Sequence, residues 1–244
     1  MNLMFLGGRV SYLDMPLGEI VTQVPGATAV LFKHEIDFCS NGEIPLKTII
    51  KQQGLNADDI VTTVEALAIR SGATEDLSKA NNKKLIAHIL TRYHKVHHEQ
   101  LTEMIRLADC VEIKHGSNKL CPNGLSGLLV IVKQELEHHM KKEKTALFPM
   151  LSKSHSPMLS GLINVMMAEH KHHIKNLDKI YTLTNDLFLP SEACNTWRAL
   201  YLGLKEFIRD VHKLIHIENN ILFARSLKKD VVARAGSGYE SSRY

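Results

Sequence analysis

Cysteine, uninterrupted apolar runs and an excess of charge of one sign are all scarce in this chain, and each scarcity closes off a class of function. The four cysteines, Cys39, Cys110, Cys121 and Cys194, form no C-x-x-C pair and match no zinc-ribbon spacing. His115, between two of them, reads as a loop coincidence. No apolar stretch approaches the length of a membrane span. The short apolar patch in MNLMFLGGRV has no basic region ahead of it and makes a poor signal peptide. The net charge is only +4, with 30 basic and 26 acidic residues interspersed, which is the pattern of a solvated surface rather than a nucleic-acid face. The expectation is a cytoplasmic protein with mostly reduced thiols and with neither membrane nor nucleic acid as partner.

Histidine is what the chain has in excess. There are 14 copies, most of them clustered on a few helical stretches, beside an apolar content of 44% that is ample for a core. The central stretch is QELEHHMKKEKTALFPM, Gln134 to Met150. The apolar positions Val132, just before it, and Leu136, Met140 and Leu147 within it are spaced by four, four and seven residues, and His139 and Glu143 fall in the same stripe one turn apart. A carboxylate and an imidazole buried side by side are costly without charge compensation, which a metal ion supplies through the lone pairs of both. Near the C-terminus IHIENNILFA repeats the pattern, with Glu218 followed by Leu222 and Phe223 at the offsets that separate Glu143 from Leu147 and Phe148. In that second copy Leu214 stands opposite His139.

Periodicity predicts an all-α protein: a small helical N-terminal domain over residues 14–72, then a four-helix antiparallel bundle over 83–228. Pro16, Pro25 and Pro45 sit near helix starts, and Leu55 to Asp59 reads as another start. Residues 1–13 and the tail from Lys229 read as poorly ordered extensions, with a polar linker at Ser71 to Thr74 and Lys79 to Asn82. Cys39 falls in a polar turn, Ser40-Asn41-Gly42, and is either a buried small residue or a chemically active thiol. In the bundle, the first inward stripe is Ile86, Leu90, His94, His97, Leu101 and Met104 or Ile105. The third helix, opened by Pro157, faces inward through Leu162, Met166, His170, His173, Leu177 and Ile180. The fourth, introduced by Pro190-Ser191, uses Trp197, Tyr201, Leu204, Ile208, Val211, Leu214 or Ile215, Glu218 and Leu222.

Five ligand-type residues thus share one depth: His94, His139, Glu143, His170 and Glu218. Bundles of this shape build dinuclear metal sites from facing helices, and nitrogen and oxygen donors without thiolates suit iron or manganese, with zinc also compatible. His138, His98 and His172 are expected at the surface. His97, His173, Glu135 and Glu169 are candidates for orienting the imidazoles or carrying protons, or are ordinary side chains.

The motifs FKHEIDFCSNG, RYHKVHHEQL, HHMKKEKTALFPM, MMAEHKHH and HIENNILF together resemble the iron–sulfur cluster repair di-iron proteins, the RIC family, over nearly the whole chain. The resemblance implies a hemerythrin-like bundle with two irons, terminal ligands His94, His139 and His170, and bridges Glu143 and Glu218. It further implies an iron-donating repair factor, rather than a turnover enzyme, that acts on iron–sulfur proteins damaged by nitric oxide or oxidants; a homodimer is compatible with it. Two departures stand out. Cys39 is followed by Ser40 where the family has a cysteine pair, and Leu214 occupies the position of a ligand histidine. His212 and His216 each lie about 160° from Leu214 around a regular helix, so one iron is expected to be weakly held. The alternatives are a hemerythrin-like sensor or carrier of oxygen or nitric oxide, and a di-iron nitric oxide reductase or oxidase.

Overall fold

The computed structural model describes residues 12–38, 41–72, 80–151 and 158–228. The expectations for Cys39, Ser40, Pro157, residues 1–11 of the N-terminal extension and the C-terminal tail concern residues outside that set, whereas Tyr12 and Leu13 are ordered, their carbonyls accepting from the Met15 and Lys47 N–H groups. Among the described residues there are eight helices and no strand, as the all-α reading expects. They group into two compact units, one of residues 1–73 with 189–203 and the other of 74–188 with 204–244.

The first unit contains α1 (Leu17–Gln23), α2 (Ala27–Lys33), α3 (Leu46–Gln53) and α4 (Ala57–Gly72). Pro16 and Pro45 stand immediately before α1 and α3, where the missing N–H leaves no helix bond unmade. Gly54, at φ +64°, closes α3 in the left-handed conformation that glycine adopts without strain. Asn56 caps α4 by accepting from the backbone N–H groups of Asp58 and Asp59, and both acids lie in the positive first turn. Leu17, Ile20, Leu31, Leu46, Ile60 and Val64 are fully buried. Gly18 donates to the Gly42 carbonyl at 2.8 Å; a Cβ there would lie 3.1 Å from that oxygen, so the close approach depends on glycine. The linker expected from Ser71 begins later than the pattern suggested, because α4 runs to Gly72.

The second unit is the bundle. Helix α5 covers 82–115, α6 covers 125–151, α7 is Leu159–Leu183, and α8 covers 195–228, the part from Leu204 belonging to this unit. Asn81 caps α5 by accepting from the Lys84 N–H. Side-chain pairs show each neighbouring helix running antiparallel. His98 meets Glu137 while Lys133 meets Thr102; His139 meets Glu169 while Asn176 meets Glu135. Arg225 reaches Ala80 while Arg92 reaches Asp210.

Three of the four bundle helices are not regular. A π turn occupies Ile89–His94 in α5, Glu143–Leu147 in α6 and Ile217–Phe223 in α8. Each π turn holds one residue more than an α turn and so rotates the helix on one side of it relative to the other. This corrects the first stripe: before His94 the fully buried residues are Leu85 and Ile89, while Ile86 and Leu90 are half-buried. On α7, Ile163 is buried in place of the expected Leu162. One end of the bundle is closed by an apolar cluster that includes Leu85, Ile89, Leu151, Ile163, Leu214 and Phe223.

A buried ion pair that periodicity gave no reason to expect ties α5 to α8. Asp210 is fully buried and accepts from Arg92 at 2.7 Å, with Arg209 3.7 Å from its other oxygen. Removing one partner of such a pair strands a charge in a low dielectric, whereas removing both does not. Arg92→Met should therefore destabilise the metal-free protein by about 3–5 kcal/mol in urea unfolding, and Arg92→Met combined with Asp210→Leu should recover most of that loss. A double variant no more stable than the single one would contradict this account.

Candidate metal centre

The three π turns deliver three of the five candidate side chains. His94 is the last residue of the turn in α5, Glu143 the first in α6 and Glu218 the second in α8. His139 lies one turn before Glu143, and His170 sits mid-way along the regular α7. All five are at most 4% exposed. Ligand-type atoms of His139, Glu143, His170 and Glu218 all lie within 4.8 Å of one another, and His94 Nε2 is 3.1 Å from Glu143 Oε2. Thus the structure brings the five ligand-type residues of the bundle stripes into one buried cluster.

The chemistry of this cluster follows from what its outward-facing nitrogens do. His139 Nδ1 is 2.7 Å from the Glu169 carboxylate, which Lys142 also contacts. Burial pushes Glu169 up, but the contacts from Lys142 and His139 outweigh it and hold the carboxyl low, so it is an ionised acceptor. His139 must then donate through Nδ1. His170 donates in the same way through Nδ1 to Asn219 Oδ1 at 2.9 Å. Burial, and then the neighbouring His139, lower His170 to about 4, so its ring is neutral at physiological pH. With its Nδ1 bonded to Asn219 and its ring neutral, His170 carries a lone pair on Nε2, which faces His139 Nε2 at 3.1 Å. His170 Nε2 is also 3.1 Å from Glu218 Oε2, and His139 Nε2 is 3.7 Å from Glu143 Oε2.

The carboxylates reinforce the demand for positive charge. No oxygen of Glu143 or Glu218 has an aligned hydrogen-bond donor, although imidazole nitrogens lie within 3.1 Å. Burial, followed by the adjacent Glu143 carboxylate, drives Glu218 well above the usual range. Burial also pushes Glu143 up, but the imidazoles of His94, His139 and His170 outweigh it and hold it low. Without a cation the pair keeps a proton; with metal ions bound, that proton has no role. Buried lone pairs converging without donors are the signature of a metal ligand set, and the residues present fit two first-row cations of the iron or manganese type.

The surrounding side chains divide clearly. Glu169 orients His139, whereas Glu135 faces Asn176 and His172 instead. His173 is buried with its ring edge-on to His139 at a 5.0 Å centroid distance; burial, then His139, lower it to about 3. His97 is buried edge-on to Phe207. His94 and His170 stack on Phe148 and Phe223, the aromatic residues shared by the two repeated motifs. His138, His98 and His172 are exposed. Asn219 escaped the sequence reading, and adjacency to Glu218 was its only signal. Leu214 is buried in the apolar cluster, while His212 and His216 are exposed and His216 bonds Asn220. No helical distortion turns either histidine inward, because the π turn of α8 begins only at Ile217.

Two family models match the chain. The hemerythrin HHE cation binding domain matches residues 85–226, and a domain of unknown function (DUF542) matches residues 13–68. The curated relatives include the iron–sulfur cluster repair proteins YtfE of Yersinia pestis (strain Pestoides F) and Yersinia pseudotuberculosis serotype O:1b (strain IP 31758). Each is 39% identical over 219 residues, which is 90% of this chain and 99% of the relative. A buried His/Glu cluster compatible with a di-iron pair, within a match of that length, leaves one assignment: the chain belongs to the YtfE family of iron–sulfur cluster repair proteins with a hemerythrin-type domain.

Proposed function

We propose that this protein holds two irons through His94, His139, Glu143, His170 and Glu218 and donates iron to iron–sulfur proteins whose clusters have been damaged by nitric oxide or oxidants. The observation that carries the reading is the pair of imidazole Nε2 atoms facing each other at 3.1 Å between two buried carboxylates whose oxygens have no aligned donor. His139, His170 and Glu169 act as a preset frame, holding donor atoms in place before metal arrives. A bound iron pair supplies Lewis-acid and redox chemistry and, as cargo, the metal itself. No described helix is long and apolar enough to cross a membrane, and the thiols of Cys110 and Cys121 are free, which suits a cytoplasmic repair factor. Cys39, in the domain-14–72 unit, is assigned to contact with the client's thiols or cluster.

A second reading is reversible binding of oxygen or nitric oxide, and Leu214 favours it. An apolar side chain where the family places a ligand leaves one metal with a coordination position that the protein does not fill.

The repair reading is tested by mixing iron-loaded protein with a nitric-oxide-treated iron–sulfur enzyme and measuring recovered cluster absorbance. The wild type and the surface variant His138→Ala should both restore the cluster. Glu143→Ala should hold little iron and restore almost none, since it leaves histidines and metal charge without their buried counter-ion. Full repair by Glu143→Ala would refute the reading.

The Leu214 argument predicts that a mild chelator removes iron in two phases, the ion near His170 leaving first. Leu214→His should convert this to one slow phase with close to two irons per chain. Two equally tight irons in the wild type, with no gain in the variant, would contradict it.

The raised Glu218 carboxyl predicts a pH effect on the metal-free protein. Above the ordinary carboxyl range the unfolded chain has lost this proton while the folded chain keeps it, so stability falls as pH rises through that window. Glu218→Gln removes the penalty. Its melting temperature should exceed that of metal-free wild type by an amount that grows as the pH rises above the ordinary carboxyl range. An advantage independent of pH would argue against a retained proton.

A further inference from the structure

Of the three candidate ligand imidazoles, His94 alone lacks a fixing partner. His139 donates to Glu169 and His170 to Asn219 through Nδ1, whereas among the described residues the Nδ1 of His94 has no hydrogen-bond partner, although the side chain is fully buried and its Nε2 lies 3.1 Å from Glu143. Ligand histidines are ordinarily held by a bond from the other ring nitrogen, and losing that bond typically weakens metal affinity 10–100-fold. His94 is therefore the least anchored of the three imidazoles.

The same residue forms the floor of a surface cleft. Between the π turns of α5 and α6 lies a cavity of about 460 Å³, within the range of small-molecule sites, lined by His94, Leu90 and Met140 at its base. Its walls carry Lys95, Lys141 and Lys144. Among the described residues none of the three lysines has a carboxylate within ion-pair reach. Of the two acids in the cleft, Glu137 is already engaged by His98 at 2.6 Å and by Lys133 at 3.9 Å, which leaves Glu99 as the one uncompensated acid. Three ammonium groups against one carboxylate make a positive cleft that ends at the least anchored imidazole of the centre.

We propose that this cleft binds small polycarboxylate anions, the class that chelates iron in solution, and is the port through which iron is exchanged at the His94 side of the centre. The proposal rests on the iron-holding reading above. Lys95, Lys141 and Lys144 would gather the anion's carboxylates, and His94, whose Nδ1 has no bond to hold the ring, would be the residue that gives way to them; the carboxylates would supply oxygen donors in its place, with no change of oxidation state. Lysine suits this task, because its ammonium is a flexible point charge that accepts varied carboxylate geometries.

The test uses the full chain and its Lys141→Glu/Lys144→Glu variant, both exposed positions whose replacement leaves the core untouched. Citrate added to metal-free wild type should shift the amide signals of residues around Lys95 and Lys141, and these shifts should vanish in the variant. Citrate should also remove iron from the variant at least tenfold more slowly than from wild type. Removal by the uncharged chelator 2,2′-bipyridine should stay within twofold, and raising the salt should slow only the citrate reaction in wild type. The proposal fails if citrate shifts nothing in the cleft, if the citrate rates are equal, if both chelators slow alike, or if inorganic phosphate produces the same shifts with equal affinity. A wild type that takes up no iron would defeat the iron-holding reading and the port together, whereas intact iron uptake with unaltered citrate rates would defeat the port alone.

Discussion

The bundle is organised around charge that has no internal counterpart: two buried carboxylates, flanked by imidazole Nε2 atoms fixed so that they oppose each other. Glu169 and Asn219 accept from the Nδ1–H of His139 and His170, which turns both Nε2 atoms inward, 3.1 Å apart. Two carboxylates in the same dry space repel strongly. Only cations, or protons in their absence, reconcile the arrangement. The apolar cluster around Leu214 and Ile163 excludes water and so raises the cost of leaving the charge uncompensated. Fold and site are thus one construction: the core that stabilises the bundle also makes its centre selective for positive charge.

Much of this was legible in the sequence because helix periodicity is a strong signal. His139 and Glu143 fall on an apolar stripe at a four-residue spacing, and His94, His170 and Glu218 fall on theirs. The π turns were not legible. A π turn is a single inserted residue whose only sequence trace is a phase slip, here the burial of Leu85 and Ile89 in place of Ile86 and Leu90. That the slips occur at His94, Glu143 and Glu218 indicates that backbone irregularity and ligand presentation are linked. Asp210 was also hidden, since its partner Arg92 is 118 residues away. So was Asn219, whose role depends on which face of α8 the π turn presents. The N-terminal segment could be read for its helix starts, but Cys39 falls outside the described residues.

The centre is asymmetric in two independent ways. Leu214 withdraws an imidazole near His170, and His94 lacks a fixing bond at the opposite side. On the proposed reading, both departures would weaken the hold on metal without dismantling the site. Storage would call for the reverse, whereas a protein that must surrender iron gains from ligands that can yield. Loose anchoring and an open position also suit small diatomic ligands, so the same features serve either reading, and the fate of the iron separates them.

Iron K-edge absorption on freshly prepared, iron-loaded protein tests the central claim most directly. The account predicts a shell of nitrogen and oxygen neighbours with the multiple scattering of imidazole rings, a second iron as neighbour and no sulfur. Iron bound through sulfur, or a shell without imidazole, would place the metal elsewhere than the buried His/Glu cluster and contradict it.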